Sequence, residues 1–111
     1  MVARDTEELP LADALDRLRR EQDSLRWPER RALVQRAVSA LADPGGRDTA
    51  LSVLYHLVKD RKWEVRKALA DMLLLVPDEA FPRLAAALQD DANAFVRSAA
   101  DRCIRRRSRS P

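Results

Sequence analysis

The stretch DRKWEVRKALAD occupies residues 60–71, and DANAFVRSAADR occupies residues 91–102, thirty-one positions further on. In each, an Asp leads, an Arg preceded by Val stands six residues later, and small or apolar residues follow. A shift of 31 superposes Leu57, Asp60, Val65, Arg66 and Ala68 on Leu88, Asp91, Val96, Arg97 and Ala99. A shift of 36 the other way superposes Trp63, Arg66, Lys67, Ala68 and Leu69 on Trp27, Arg30, Arg31, Ala32 and Leu33. Periods in this range mark stacked units, none of which can bury its apolar face alone.

Outward from these stretches, the apolar spacing predicts six helices in three pairs, over residues 7–41, 47–76 and 78–106. Leu11, Leu15, Leu18 and Leu25 share one face of the first helix, with Thr6 as its cap and Pro10 in its first turn. Trp27-Pro28 breaks that helix and starts a second, which carries Leu33, Val34, Ala37, Val38 and Leu41. The DPGG turn at 43–46 ends it, and Asp48 or Thr49 is placed to cap the third helix, with Leu51, Leu54, Tyr55 and Val58 on its face. The fourth carries Val65, Ala68, Leu69, Met72 and Val76. Asp78 is placed to cap the fifth, with Phe81, Leu84 and Leu88, and Asp90-Asp91 opens the sixth, with Val96, Ala99, Ala100, Cys103 and Ile104. Residues 1–6 read as an arm, and 107–111 as a basic, disordered tail.

Composition agrees with an all-helical chain. Of the 111 residues, 46% are hydrophobic and 35% charged, and only two are Gly, so turn formers are scarce. The net charge is +3, but the stretch RRRSRSP at 105–111 holds four of the 21 basic residues and no acid. Without it, 17 basic residues face 18 acidic ones, so the body is balanced and the high pI belongs to the end of the chain. One cysteine cannot form an internal disulfide, which points to a reducing, cytoplasmic setting. The start MVARDTEELP has no apolar signal-peptide region, and no apolar run reaches membrane-span length.

The motif of Asp60, Val65, Arg66 and Ala68, repeated as Asp91, Val96, Arg97 and Ala99, resembles that of the HEAT repeat family. The segment AFPRLAAALQD at 80–90 is similar to the first helix of such a repeat. The first pair departs from the pattern: Glu29 replaces the Val, and Ser24 replaces the Asp, with Asp23 adjacent. The resemblance implies an all-α, right-handed solenoid of three antiparallel pairs, with the first as a cap. For Asp60, Arg66, Asp91 and Arg97 the physical reading is a structural ladder. The Asp accepts from the free N–H groups that open a helix, and the Arg pairs with an Asp of its own or a neighbouring repeat.

No catalytic constellation is visible. His56 is the single His, so zinc-type spacings are absent, as are the His-Glu pairs that HEAT-like iron hydroxylases need. Cys103 sits on an apolar face, where a free Cys is usually a small core residue. The acidic doublets at 78–79 and 90–91 are explained by helix starts, and Gly45-Gly46 matches no phosphate loop. The reading is therefore a non-catalytic scaffold or adaptor of bacterial type, with no cofactor, metal, membrane or small-molecule substrate, that binds a protein partner. The family resemblance places the second helices on the concave side. There Trp27, Arg31, Gln35, Trp63, Lys67, Asp71, Ser98 and Arg102 form the expected contact strip, since Trp and Arg dominate interface hot spots. The plainer reading of Trp27 and Trp63 is that they close the joints between pairs. The alternative function is nucleic-acid binding, as in HEAT-like alkylpurine DNA glycosylases, through Arg61, Lys62, Arg66, Lys67 and the terminal arginines.

Overall fold

The computed structural model describes residues 9–109, and among these every regular element is helical. The helices are α1 (Leu11–Arg20), α2 (Trp27–Ala40), α3 (Arg47–Leu57), α4 (Trp63–Asp71), α5 (Phe81–Gln89) and α6 (Ala94–Arg109). Short 3-10 turns at Gln22–Ser24 and Leu73–Leu75 complete the set. The second helices stack in series, α4 lying between α2 and α6, while α1 packs on α3 and α3 on α2. The result is an α-solenoid 46 × 31 × 23 Å across.

Most of the predicted faces are buried, but on α4 and the turn after it Ala68 and Met72 stay partly exposed, while Ala70 and Leu73, outside the predicted face, are fully buried. Leu33, Val34, Ala37 and Val38 of α2, Val65 and Leu69 of α4, and Val96, Ala99, Ala100 and Cys103 of α6 form one core with Leu54 and Leu57 of α3. Each fully buried Leu or Val contributes about 1.5–3 kcal/mol relative to an exposed one. The alanines let α4 and α6 approach closely enough for the Cys103 thiol to donate to the Ala70 carbonyl at 3.3 Å.

Several element ends differ from the sequence reading, each for a local reason. α1 stops at Arg20, and Leu25 is buried from the link that follows the 3-10 turn rather than from the helix itself. α4 stops at Asp71, and the tighter turn at Leu73–Leu75 carries the chain to the buried Val76. Helix α3 begins at Arg47, so Asp48 and Thr49 lie inside its first turn and neither caps it. Asp78 does not cap α5, which starts at Phe81. The cap of α6 is Asn93, whose Oδ1 accepts from Phe95 N at 2.8 Å and Val96 N at 3.2 Å. Glu29, the residue that breaks the Val pattern, accepts from the Arg26 N–H at 2.7 Å and so closes the start of α2. Thr6 and the arm at 1–6 lie outside the described residues.

The largest correction concerns residues 107–109, which are helical and not a disordered tail. Arg107 holds them. Its Nη1 donates to the Val76 carbonyl at 2.8 Å, Nη2 pairs with Asp78, and the guanidinium lies 4.0 Å from the Phe81 ring centroid. The link at residues 76–81 is thereby tied to the last turn of α6.

Candidate interaction surface

The turns that lead into α4 and α6 each place an Asp where two things converge on it. Asp60 Oδ1 accepts from the Lys62 N–H at 2.9 Å, and Asp91 Oδ1 accepts from the Asn93 N–H at 2.9 Å. This two-residue turn fixes the carboxylate and aims it at the preceding pair. Arg30 meets Asp60 there, with Nε to Oδ2 at 2.7 Å and Nη2 to Oδ1 at 3.2 Å. Arg66 meets Asp91 in the same manner, at 2.7 and 3.1 Å. The sequence left open whether each arginine pairs within its own repeat or across repeats. The carboxylate bonds run across, and the bond within the repeat goes to a carbonyl: Arg30 Nη1 to Leu25 O, Arg66 Nη1 to Asp60 O and Arg97 Nη1 to Asp91 O, each at 2.6 Å. Arg30, which the shift of 36 aligned with Arg66, is the rung that the expected ladder lacked.

Burial grades the rungs. Arg30 is 3% exposed and Asp60 1%, while Arg66 and Asp91 are half-buried. A carboxylate that deep is tolerated only because both its oxygens are saturated by a fork-shaped donor and a backbone N–H.

Over this ladder runs an aromatic row. The Trp27 ring is flanked by Arg31 from its own helix at 5.3 Å and by Lys62 from the next turn at 5.4 Å. Trp63 stacks on Phe95 of the next pair, with centroids 5.8 Å apart and planes inclined by 29°. Both Trp rings are half-buried and lie across the joints between pairs.

The remaining strip residues fall into two groups. Arg31 and Gln35 of α2 and Asp71 at the end of α4 line one open groove of about 380 Å³, whose apolar wall is made by Pro28, Ala32, Val34, Ala68 and Met72. Lys67 pairs with Asp71 at 2.9 Å along the rim. Ser98 and Arg102 are exposed on α6, where Arg102 Nη1 donates to Ser98 Oγ at 3.3 Å, and they do not line that groove.

The basic run is largely engaged. Arg61 pairs with Asp23, Lys62 lies over Trp27, Arg66 is in the ladder and Lys67 is on Asp71. Among the described residues, no three His, Cys, Asp or Glu side chains are grouped to hold a metal ion, and no helix is long and apolar enough to cross a membrane. His56 is half-buried on α3, and burial lowers its pKa below the ordinary histidine value, with Asp60 pulling the other way.

The family model for HEAT repeats matches residues 11–105. The chain belongs to the HEAT repeat family. Nothing among curated proteins or solved structures matches it significantly. HEAT repeats commonly serve as protein-interaction scaffolds.

Proposed function

We propose that this HEAT domain is a non-catalytic module that binds a protein partner along the second helices, with the groove between α2 and α4 at the centre. The observation that carries the reading is that groove: an apolar wall rimmed by Arg31, Gln35 and the Lys67–Asp71 pair. Apolar floors ringed by polar side chains are how standard interfaces are built. The rim carries both signs of charge, which suits a segment of mixed charge better than a polyanion. Trp27 adds an edge that holds two cations and remains partly open.

The nucleic-acid alternative draws less support. Four cations of its central run already have partners or an aromatic face, and Arg107 is tied to the body.

The test combines Arg31→Glu with Lys67→Glu, using a partner first isolated with the unaltered chain and then titrated as a purified protein. Both changes lie at or near the surface, so the melting midpoint should stay nearly constant. Affinity should fall by about tenfold or more, the effect of about 1.4 kcal/mol at an interface. Unchanged affinity in a folded double variant places the partner on the outer helices instead.

A further inference from the structure

The ladder brings into line the turns that join the two helices of each pair, since Arg30 reaches the turn at Asp60 and Arg66 the turn at Asp91. These turns form one side of the stack, and at the first two of them that side is a cationic trough. Its largest opening, about 740 Å³, is lined by Arg20, Glu21, Asp23, Ser24, Lys59 and Arg61. Arg17 extends it along α1, and Arg26 extends it toward α2. The openings adjoin, because Arg20 and Ser24 line two of them, as do Asp23 and Arg61. Five exposed cations, Arg17, Arg20, Arg26, Lys59 and Arg61, thus stand against two carboxylates, Glu21 and Asp23.

The repeat does not require this charge. The third turn, DDAN at residues 90–93, holds no cation, and the body up to Ile104 is balanced at 17 basic and 18 acidic residues. Among the described residues, Arg17, Arg26 and Lys59 are in no ion pair. Arg20 and Arg61 are paired, with Asp16 and Asp23, but in the open: the Arg61 and Asp23 side chains are 68% and 72% exposed. Such pairs contribute little, so an incoming carboxylate exchanges for them at small cost. The trough runs along the side of the stack, across the joint of the first two pairs. A unit added before α1 or after α6 therefore leaves it open.

We propose that this trough binds an acidic segment of a partner protein, a run of closely spaced Asp and Glu side chains. Guanidinium groups take carboxylates bidentately, and α1 presents Arg17 and Arg20 one turn apart on one face. Lys59 and Arg61 flank the inward-turned Asp60 and stay on the surface of the facing wall. A peptide fits this arrangement better than a nucleic acid does. A phosphate backbone carries charge at every nucleotide and cannot skip Glu21 and Asp23, whereas a peptide places carboxylates only where cations stand. The one aromatic ring lining the trough, Trp27, already lies against Arg31 and Lys62, so it is no bare platform for a base. The trough adjoins the α2–α4 groove only at Pro28, and its test does not depend on the partner assigned there.

The probe is a labelled oligoglutamate peptide titrated into the full chain at low salt. Binding should weaken steeply toward 1 M salt, where the screening length is about 3 Å. Arg17→Glu with Lys59→Glu should lower the affinity by about tenfold or more. Arg105→Glu with Arg109→Glu, both exposed on α6, changes the net charge equally and should leave the affinity nearly unchanged. Equal losses from the two variants mean that only overall charge is felt, and they overturn the proposal. So do unchanged affinity in the first variant and the absence of binding at low salt. Tighter binding of an oligothymidylate of the same charge also overturns it, by giving the trough to nucleic acid. In the unaltered chain, the peptide should shift the Nε–H resonances of Arg17, Arg20 and Arg61 and leave those of Arg105 and Arg109 in place; the reverse pattern sinks the idea. That measurement needs no variant, so it stands even if one fails to fold.

Discussion

Asp60 concentrates more of the fold than any other polar residue. It accepts from Arg30 through both oxygens and from the Lys62 N–H, at 1% exposure. Asp60→Ala leaves the Arg30 guanidinium charged, buried and unpaired, which costs about 3–5 kcal/mol in such settings. A denaturant titration should show that loss, while Asp23→Ala, which breaks only the exposed pair with Arg61, should cost no more than about 1 kcal/mol. If the two losses are equal, the cross-repeat rung has been overvalued. His56 makes a pH prediction. Burial depresses its folded-state pKa, so the unfolded chain binds the proton more readily. Its contribution to stability is complete above the unfolded value of about 6.5 and is lost as pH falls through the lower folded value. His56→Gln should therefore flatten the fall in melting midpoint on the acid side of neutrality, and an unaltered slope would assign that fall to the carboxylates. At this scale the sequence showed that the Asp and Arg repeat. It did not show which of them meet.

Among the elements, α4 is the one that both neighbours need, since α2 packs on one side of it and α6 on the other. Leu69 is fully buried there. Leu69→Ala should cost about 2–5 kcal/mol by calorimetry, from lost transfer energy and the cavity left behind. A shift too small to resolve would mean that the two neighbouring helices collapse into the space. For α6, the end matters as much as the core. Arg107→Ala removes bonds to the Val76 and Leu73 carbonyls, the pair with Asp78 and the face of Phe81. Losing a charged donor from partly buried carbonyls costs about 1–3 kcal/mol, and fast hydrogen exchange should appear in the last turn of α6. Element identity was legible because apolar spacing repeats every turn. The ends were less so: Asn93 beat the expected Asp90-Asp91 as cap, and Leu73–Leu75 tightened where continuous α-helix was expected, because the backbone follows local hydrogen bonds that spacing does not encode.

At the scale of the molecule, repeats touch mainly their neighbours, so stability and specificity both travel along the stack. The terminal arginines illustrate what that changes. Cutting the chain at Ile104 would remove any nucleic-acid contact made by them, but it would also remove the Arg107 staple. The cleaner test is Arg105→Gln and Arg109→Gln together. If nucleic-acid binding resides in that end, this variant should lose most of it, along with its salt dependence, at an unchanged midpoint. Retained binding to DNA would instead locate a cationic site on the body. The sequence by itself determined the helix order and most of the core faces. Each of these rests on periodicity within a few turns, or on a motif recurring at 31 or 36 residues. Only the tertiary structure decided that Arg30 meets Asp60 and Arg66 meets Asp91, that Arg107 is a staple and not part of a tail, and that Trp63 rests on Phe95. Those partners lie 25 to 32 residues apart. Their meeting depends on how one helical pair is laid against the next, a geometry set by the packed core as a whole and not by any local run of side chains.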